Sequence, residues 1–367
     1  MMSDFDVYIG DSTIIKYCSW LLVIFLLLNA KNAFQKEARG GTGYVLLFIV
    51  MTLYCVFYCP ESGDNFFSMA NYYSYLDGTD WEKLHFERIY FYIMDYIPYG
   101  YVYYRLFVWG VACLLCVWLM KKMEIKSQIA TLSVLTFALP ILLYYQRAAF
   151  AYVLLYVALF CYESKGDLFV DTLPFVKKYY VLLSVVLFLC VIPFHNAMPI
   201  YLTFLLCALL TPKNLIGLVA LGLGLYIFSE SLISNSISLL EFFREDTIET
   251  GMRSLEGDTA IIGQNFNGAL VDFLKMFPLY AMLVYGLYMM IQYPNHQTDF
   301  EKVCLVNTFI LLLISTMFME YSYTIQIKFR NAAMMPWTLY VASYFTRYSG
   351  GKVCSAYAIT TIFTFFI

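Results

Sequence analysis

Apolar runs of roughly 15 to 23 residues follow one another along nearly the whole chain. A helix rises about 1.5 Å per residue, so runs of this length suit a hydrocarbon core about 30 Å thick. Eleven are read this way, at approximately 13–30, 44–60, 101–120, 128–145, 148–162, 179–194, 196–211, 214–230, 269–291, 303–319 and 331–346. A last run, 353–367, reads either as a short twelfth span or as the remnant of a longer tail. Lipid offers backbone amides no partner, so a spanning segment is a helix or belongs to a closed barrel, and these runs lack the apolar–polar alternation of barrel strands. Composition agrees: of 367 residues, 61% are hydrophobic and 13% charged, more apolar than soluble domains. The expected fold class is all-α, a polytopic integral membrane protein with about 11–12 transmembrane helices forming a single integral membrane domain over residues 1–367.

Short loops set the expected orientation. Lys31, Lys36 and Arg39 lie on one side, joined on alternate loops by Lys121, Lys122, Lys126, Lys165, Lys177, Lys178, Lys213, Lys302, Arg347 and Lys352. Positive charge marks that side as cytoplasmic. The amino terminus, MMSDFDVYIGDS, is acidic, reads as external and shows no basic region of a cleavable signal peptide. Two long connections, about 61–99 and 231–268, also fall outside.

The two kinds of positive charge are sorted by side. Lysine supplies eleven of the thirteen cytoplasmic cations, whereas Arg88, Arg105, Arg147, Arg244, Arg253 and Arg330 fall in or beside external segments. A guanidinium offers planar, two-pronged hydrogen bonding to phosphate or carboxylate, which an ammonium does not. Counting back from the cytoplasmic boundary, Arg105 lies sixteen residues from Lys121, Arg147 sixteen from Glu163, His195 eighteen from Lys213 and Arg330 seventeen from Arg347. At about 1.5 Å per residue, all four are expected about 24 to 27 Å above that boundary, just inside the outer face. Two readings stay open: each Arg alone snorkels to headgroups, or the layer holds a shared anionic ligand. His195, in VIPFHNAMP, is either a structural histidine in a Pro-bounded hairpin or a proton acceptor.

The first external connection, ESGDNFFSMANYYSYLDGTDWEKLHFERIYFYIMDYIPYG, sets Asp64, Asp77, Asp80, Glu82 and Glu87 among Tyr72, Tyr73, Tyr75 and Trp81. Carboxylates accept from sugar hydroxyls and aromatic faces cover sugar C–H surfaces. An interfacial helix with an aromatic belt has the same composition. The second, with FFREDTIETGMRSLEGDTA, carries Arg244 and Arg253 among carboxylates; they either grip a ligand or pair with those neighbours. DGTD is too weak a pattern to assign a metal, and neither metal nor cofactor is expected. Cys113 and Cys116 sit mid-run and read as core packing rather than as ligands. GGTG at 40–43 precedes an apolar run, not a nucleotide-binding helix, and reads as a loop hinge.

An Asp before a Tyr-rich stretch and a Glu (Asp64, Tyr72, Glu87), an Arg opening a helix after a hairpin (YYQRAAFA) and a His in a later hairpin (PFHNAMP) occur in this order. This order resembles the EpsG group of Wzy-type exopolysaccharide and O-antigen polymerases. RIYFY after Glu87 departs from that group's pattern. The resemblance implies a membrane glycosyltransferase architecture like the GT-C class. It implies inverting transfer of a polyprenyl-diphosphate-linked glycan onto another lipid-linked repeat unit at the outer face of the bacterial inner membrane. In that reaction Arg105, Arg147 and Arg330, with Arg244 and Arg253, would hold the diphosphate. His195 would be the base, with Asp64, Asp80 or Glu87 as carboxylate alternatives, while Asp80, Tyr72, Tyr75 and Trp81 would hold sugars. The expected partners are lipid-linked oligosaccharide, membrane lipids and other polysaccharide assembly proteins, not nucleic acid. A lipid-linked oligosaccharide flippase or other transporter, and a membrane acyltransferase or glycan ligase, are the competing classes; a transporter would show matched breaks in pseudo-symmetric halves, and none is visible.

Overall fold

The structure is a computed structural model that describes residues 41–57, 100–134, 146–165, 175–191, 198–209, 212–227, 266–317 and 323–348. The runs 13–30 and 353–367, the connection 61–99 and residues 231–265 lie outside the described residues. The regular elements among the described residues are all helical, as long apolar runs require. In chain order they are α1 (Gly41–Phe57), α2 (Gly100–Lys122), α3 (Ser127–Ser133), α4 (Gln146–Glu163), α5 (Phe175–Val191), α6 (Met198–Leu209), α7 (Pro212–Ile227), α8 (Phe266–Gln292), a 3₁₀ turn at Pro294–His296, α9 (Asp299–Met317) and α10 (Tyr323–Tyr348). Among the described residues one helix, α9, is by itself long and apolar enough to cross a membrane; shorter apolar stretches run over Gly41–Leu53, Ala149–Glu163, Lys178–Val191 and Leu279–Gln292. In α2 and α10, tyrosines and arginines dilute the apolar run.

Helix ends follow local chemistry. At the start of α9, Thr298 N donates to Glu301 Oε2 at 2.7 Å and Glu301 N donates to Thr298 Oγ1 at 3.3 Å, a reciprocal cap readable from the spelling T-x-x-E. α2 ends in a turn where Ile125 N reaches Met120 O and Glu124 N reaches Lys121 O, both at 3.1 Å. Glu124 there has φ 56°, the left-handed position that usually holds glycine, and Ile125 and Met120 are both buried. α4 closes the same way on Lys165, φ 51°, whose N–H reaches Tyr162 O at 3.1 Å. α10 is the largest departure from expectation: it begins at Tyr323, eight residues ahead of the apolar run at 331, because Gln326, Lys328 and Arg330 break apolarity without breaking helix.

The packing divides the chain into two compact units: Met1–Ala197 with Val341–Phe365, and Met198–Tyr340 with Phe366–Ile367. In the first, α2 packs on α1 and α4, and α4 packs on α5. α4 is the central element, with every residue from Ala149 to Leu159 buried, as a helix apolar on all sides requires. α1 buries Leu47, Met51 and Cys55 and leaves Val45, Ile49 and Leu53 exposed on the opposite face. α5 exposes an apolar stripe that includes Leu182, 61% accessible.

In the second unit α9 packs against α6, α7 and α8, and every residue from Phe300 to Thr308 is buried. Gly222 lets α7 close on α9: a Cβ there would meet Ile310 Cδ1 at 2.8 Å and Leu313 Cδ2 at 3.2 Å. Gly286 of α8 sits under Tyr340 of α10, where a Cβ would meet the phenol oxygen at 2.6 Å. The buried Gln297 amide joins these two, donating to Gly286 O at 3.2 Å and to Tyr340 Oη at 3.0 Å. Meanwhile α8 exposes Phe277, Val284, Tyr285, Tyr288 and Ile291, with Val284 66% accessible.

Five hydroxyls inside these helices bond within their own helix. Thr131 donates to Ser127 O, Ser184 to Tyr180 O, Thr308 to Cys304 O and Thr346 to Ala342 O, all at 2.8 Å, and Thr338 donates to Met334 O at 2.7 Å. A side chain satisfied in this way needs no water, so it tolerates an apolar setting.

Candidate functional site

Among the candidate site residues, Arg105 and Arg147 are described by their place on a helix and Arg330 with its side chain. His195, Asp64, Asp80, Glu87, Tyr72, Tyr75, Trp81, Arg244 and Arg253 lie outside the described residues.

Arg147 is the second residue of α4 and Arg105 the sixth of α2. Both therefore ride on helices that continue to the boundary residues used to reckon their depth. From Arg105 to Lys121 and from Arg147 to Glu163 the chain is unbroken helix, a rise of about 24 Å in each case. The two helices pack directly against each other within the first unit.

The other two depth reckonings differ. α6 is twelve residues long and α7 starts anew at Pro212, so the stretch from His195 to Lys213 is not one helix and its length does not convert to depth at a constant rise. Proline explains the restart, since it has no N–H to give to a preceding turn but fits a first helical position. Arg330 and Arg347 share α10, but Pro336 interrupts the hydrogen-bond ladder between them. Arg330 also stands two turns inside its helix, not at its start, and it belongs to the second unit.

Around Arg330 the side chains are described. Ser315 of α9 donates its hydroxyl to Gln326 O of α10 at 2.9 Å, one turn before Arg330 and on the same helical face. The half-buried Arg330 guanidinium acts electrostatically on the phenol of Tyr280 in α8, also half-buried. α10 thus carries the charge, α9 bonds the turn before it, and α8 holds a phenol within reach of its field. Elsewhere in the same unit Asn307 of α9, fully buried, accepts from Thr203 Oγ1 of α6 at 3.3 Å. Such polar bonds across apolar helices hold pairs in register.

Sequence reasoning picked Arg330 but passed over Tyr280, Ser315 and Gln326. Tyr280 is one of 34 tyrosines, and nothing in its spacing sets it apart. Chemically, a guanidinium and a phenol are both donors that phosphate oxygens accept from. Cys113 and Cys116 are fully buried within α2, and among the described residues no group of three His, Cys, Asp or Glu side chains could hold a metal ion.

No protein-family model, curated protein or solved structure matches the chain.

Proposed function

We propose that this chain is a polytopic membrane glycosyltransferase: a polysaccharide polymerase that transfers a polyprenyl-diphosphate-linked glycan onto another lipid-linked repeat unit. The membrane part is supported by apolar outer faces. Val284, Leu182 and Ile49 are exposed on their units, while inside Thr308 donates to a carbonyl of its own helix and Asn307 accepts from Thr203. In this reading the chain crosses the inner membrane of a bacterium many times, with its site at the external face.

The observation that carries the chemistry is the place of the arginines on otherwise apolar helices. α2 and α4 each carry one near the amino-terminal end, about 24 Å by helical rise from the charged far end. Read as spans separated by the 128–145 run, the two helices point the same way, which brings Arg105 and Arg147 to one level. A lipid diphosphate leaving an anomeric carbon must itself sit at headgroup depth, because its tail stays in the bilayer. It needs neutralisation of developing charge more than a general acid, and fixed guanidinium groups in a partly dehydrated site supply this. Arg330, whose field reaches the Tyr280 phenol, is a donor of the same kind. The acceptor hydroxyl needs a base because its own pKa is far above neutrality. His195 fills that role in this reading, with Asp64, Asp80 or Glu87 as alternates.

Incubating the purified protein in lipid with a synthetic polyprenyl-diphosphate oligosaccharide tests the reading. A ladder of longer glycans on the same lipid is expected. The unchanged glycan delivered across the membrane, or its transfer to a non-glycan acceptor, would replace this proposal by a transporter or a ligase.

A further inference from the structure

The outer face of α5 is apolar and carries a cation at its start, on that same face. Lys178 is exposed, and Leu182, Val185 and Leu189 follow it at steps of four, three and four residues, the spacing that lines side chains up along one side of a helix. Those three are 61%, 47% and 54% exposed. α5 bends at Tyr179, where φ is −117° and ψ is 23°. The two angles depart from helical values in opposite senses, so the winding that aligns Lys178 with Leu182 is nearly kept. Between Val181 and Leu189 the one polar side chain, Ser184, is buried and donates to Tyr180 O at 2.8 Å. The stripe itself therefore offers a ligand no polar group.

The charged end has further marks. Lys178 Nζ lies 5.3 Å from the centroid of the exposed Tyr179 ring, and Tyr and Lys are the side chains that anchor a helix where hydrocarbon meets headgroup. Tyr162 of α4 meets Tyr180 with ring centroids 6.2 Å apart, which brings the end of α4 and its exposed Lys165 to the same end of the helix pair. Among the described residues neither lysine has a carboxylate partner. Glu163, the one acid on the described part of these two ends, is half-buried and has a partner of its own. α8 supplies a contrast: Val284, Tyr288 and Ile291 are exposed on it, yet its last turn holds no basic residue.

Length narrows the occupant. Lys178 and Leu189 are eleven residues apart, about 16 Å of helix, close to half of a hydrocarbon core about 30 Å thick. That is the depth of one leaflet, the reach of one acyl chain whose phosphate lies at Lys178. An acidic peptide would want positive charge along its whole length, and the stripe has none. We infer that this face of α5 holds an anionic phospholipid, its phosphate on Lys178 and Lys165 and an acyl chain along Leu182, Val185 and Leu189. The inference rests on the membrane reading above, with both lysines on the cytoplasmic side, where anionic headgroups attract basic side chains.

Photolabelling tests it. The purified chain is placed in vesicles containing phosphatidylglycerol or phosphatidylcholine with a diazirine near the end of one acyl chain, and labelled peptides are read by mass spectrometry. Phosphatidylglycerol is expected to label α5 about fivefold more than α8 in wild type, and phosphatidylcholine to label the two helices alike. Lys178→Gln is expected to remove that excess while leaving α8 labelling unchanged, and Lys178→Arg to keep it. Raising salt is expected to lower the excess in wild type, a check that does not depend on any variant folding. Equal labelling of α5 and α8 by phosphatidylglycerol in wild type, an excess that salt leaves unchanged, or an undiminished excess in Lys178→Gln would overturn the inference. Alkaline carbonate extraction of cells reports separately on the membrane reading: release of the chain to the supernatant sinks that reading whatever the photolabelling gives.

Discussion

Ser315 of α9 holds the Gln326 carbonyl of α10 at 2.9 Å, directly under the turn that carries Arg330. An apolar helix has little to stop it rotating or sliding against a neighbour. This one bond fixes both motions at the level of the charge, and a polar bond between helices in an apolar setting is worth about 0.6 kcal/mol. Ser315→Ala is expected to lower turnover by about threefold, and Ser315→Thr to restore it. Polymer yield per protein, at matched expression, checks this. Equal activity in all three would remove Ser315 from the positioning of Arg330.

Replacing Arg147 separates charge from geometry. Losing a preorganised donor at a developing anion costs about 100-fold in turnover. If two-pronged binding matters, Arg147→Lys falls within about fivefold of Arg147→Ala despite keeping the charge. Rates from single-turnover extension of a lipid-linked glycan decide it, and full activity in the Lys variant excludes the two-pronged role.

Gly286 and Tyr340 are coupled by contact. A methyl at residue 286 meets Tyr340 Oη at 2.6 Å and Leu305 Cδ1 at 3.0 Å, and overpacking of this kind costs about 1–3 kcal/mol. Gly286→Ala is expected to lower the thermal midpoint of the detergent-solubilised protein. Adding Tyr340→Phe removes the clashing oxygen, so the double variant is expected to be more stable than the two single losses added together. Strict additivity would mean that the phenol moves aside at no cost.

Glu124 occupies a left-handed position at φ 56° with a full side chain. That conformation costs an ordinary residue about 1 kcal/mol, and glycine escapes the cost. Glu124→Gly is therefore expected to stabilise the first unit, whereas Glu124→Ala, which keeps a Cβ, is not. Thermal unfolding of the two variants side by side checks this.

The length of the apolar runs announced the helices, and T-D-F-E at 298–301 announced the cap of α9. The ends of α2 and α4 fell within two residues of where apolarity stops, but the left-handed turns that close them were not legible, because Glu124 and Lys165 stand where glycine would have signalled them. Nor was the inward face of a helix. In α1, Leu47, Met51 and Cys55 are buried and Val45, Ile49 and Leu53 exposed, yet both faces are apolar, and binary patterning has nothing to read. Charge is rare here, so Arg105, Arg147 and Arg330 were visible at once. Their neighbours were not: Tyr280 and Ser315 acquire meaning only from which helices meet. His195 was set at the arginines' depth by counting to Lys213, and that count takes in the break between α6 and α7, which the separate runs 196–211 and 214–230 already show, as though it were helix.

The central claim is that Arg105 and Arg147 receive a lipid's diphosphate. Binding of polyprenyl diphosphate and polyprenyl monophosphate to the purified wild type and to Arg105→Ala and Arg147→Ala measures it most directly. The account predicts at least tenfold preference for the diphosphate in wild type, consistent with charge-assisted, paired hydrogen bonds, and loss of most of that preference in each variant. Equal affinity for the two lipids in wild type, or an unchanged preference in both variants, would contradict it.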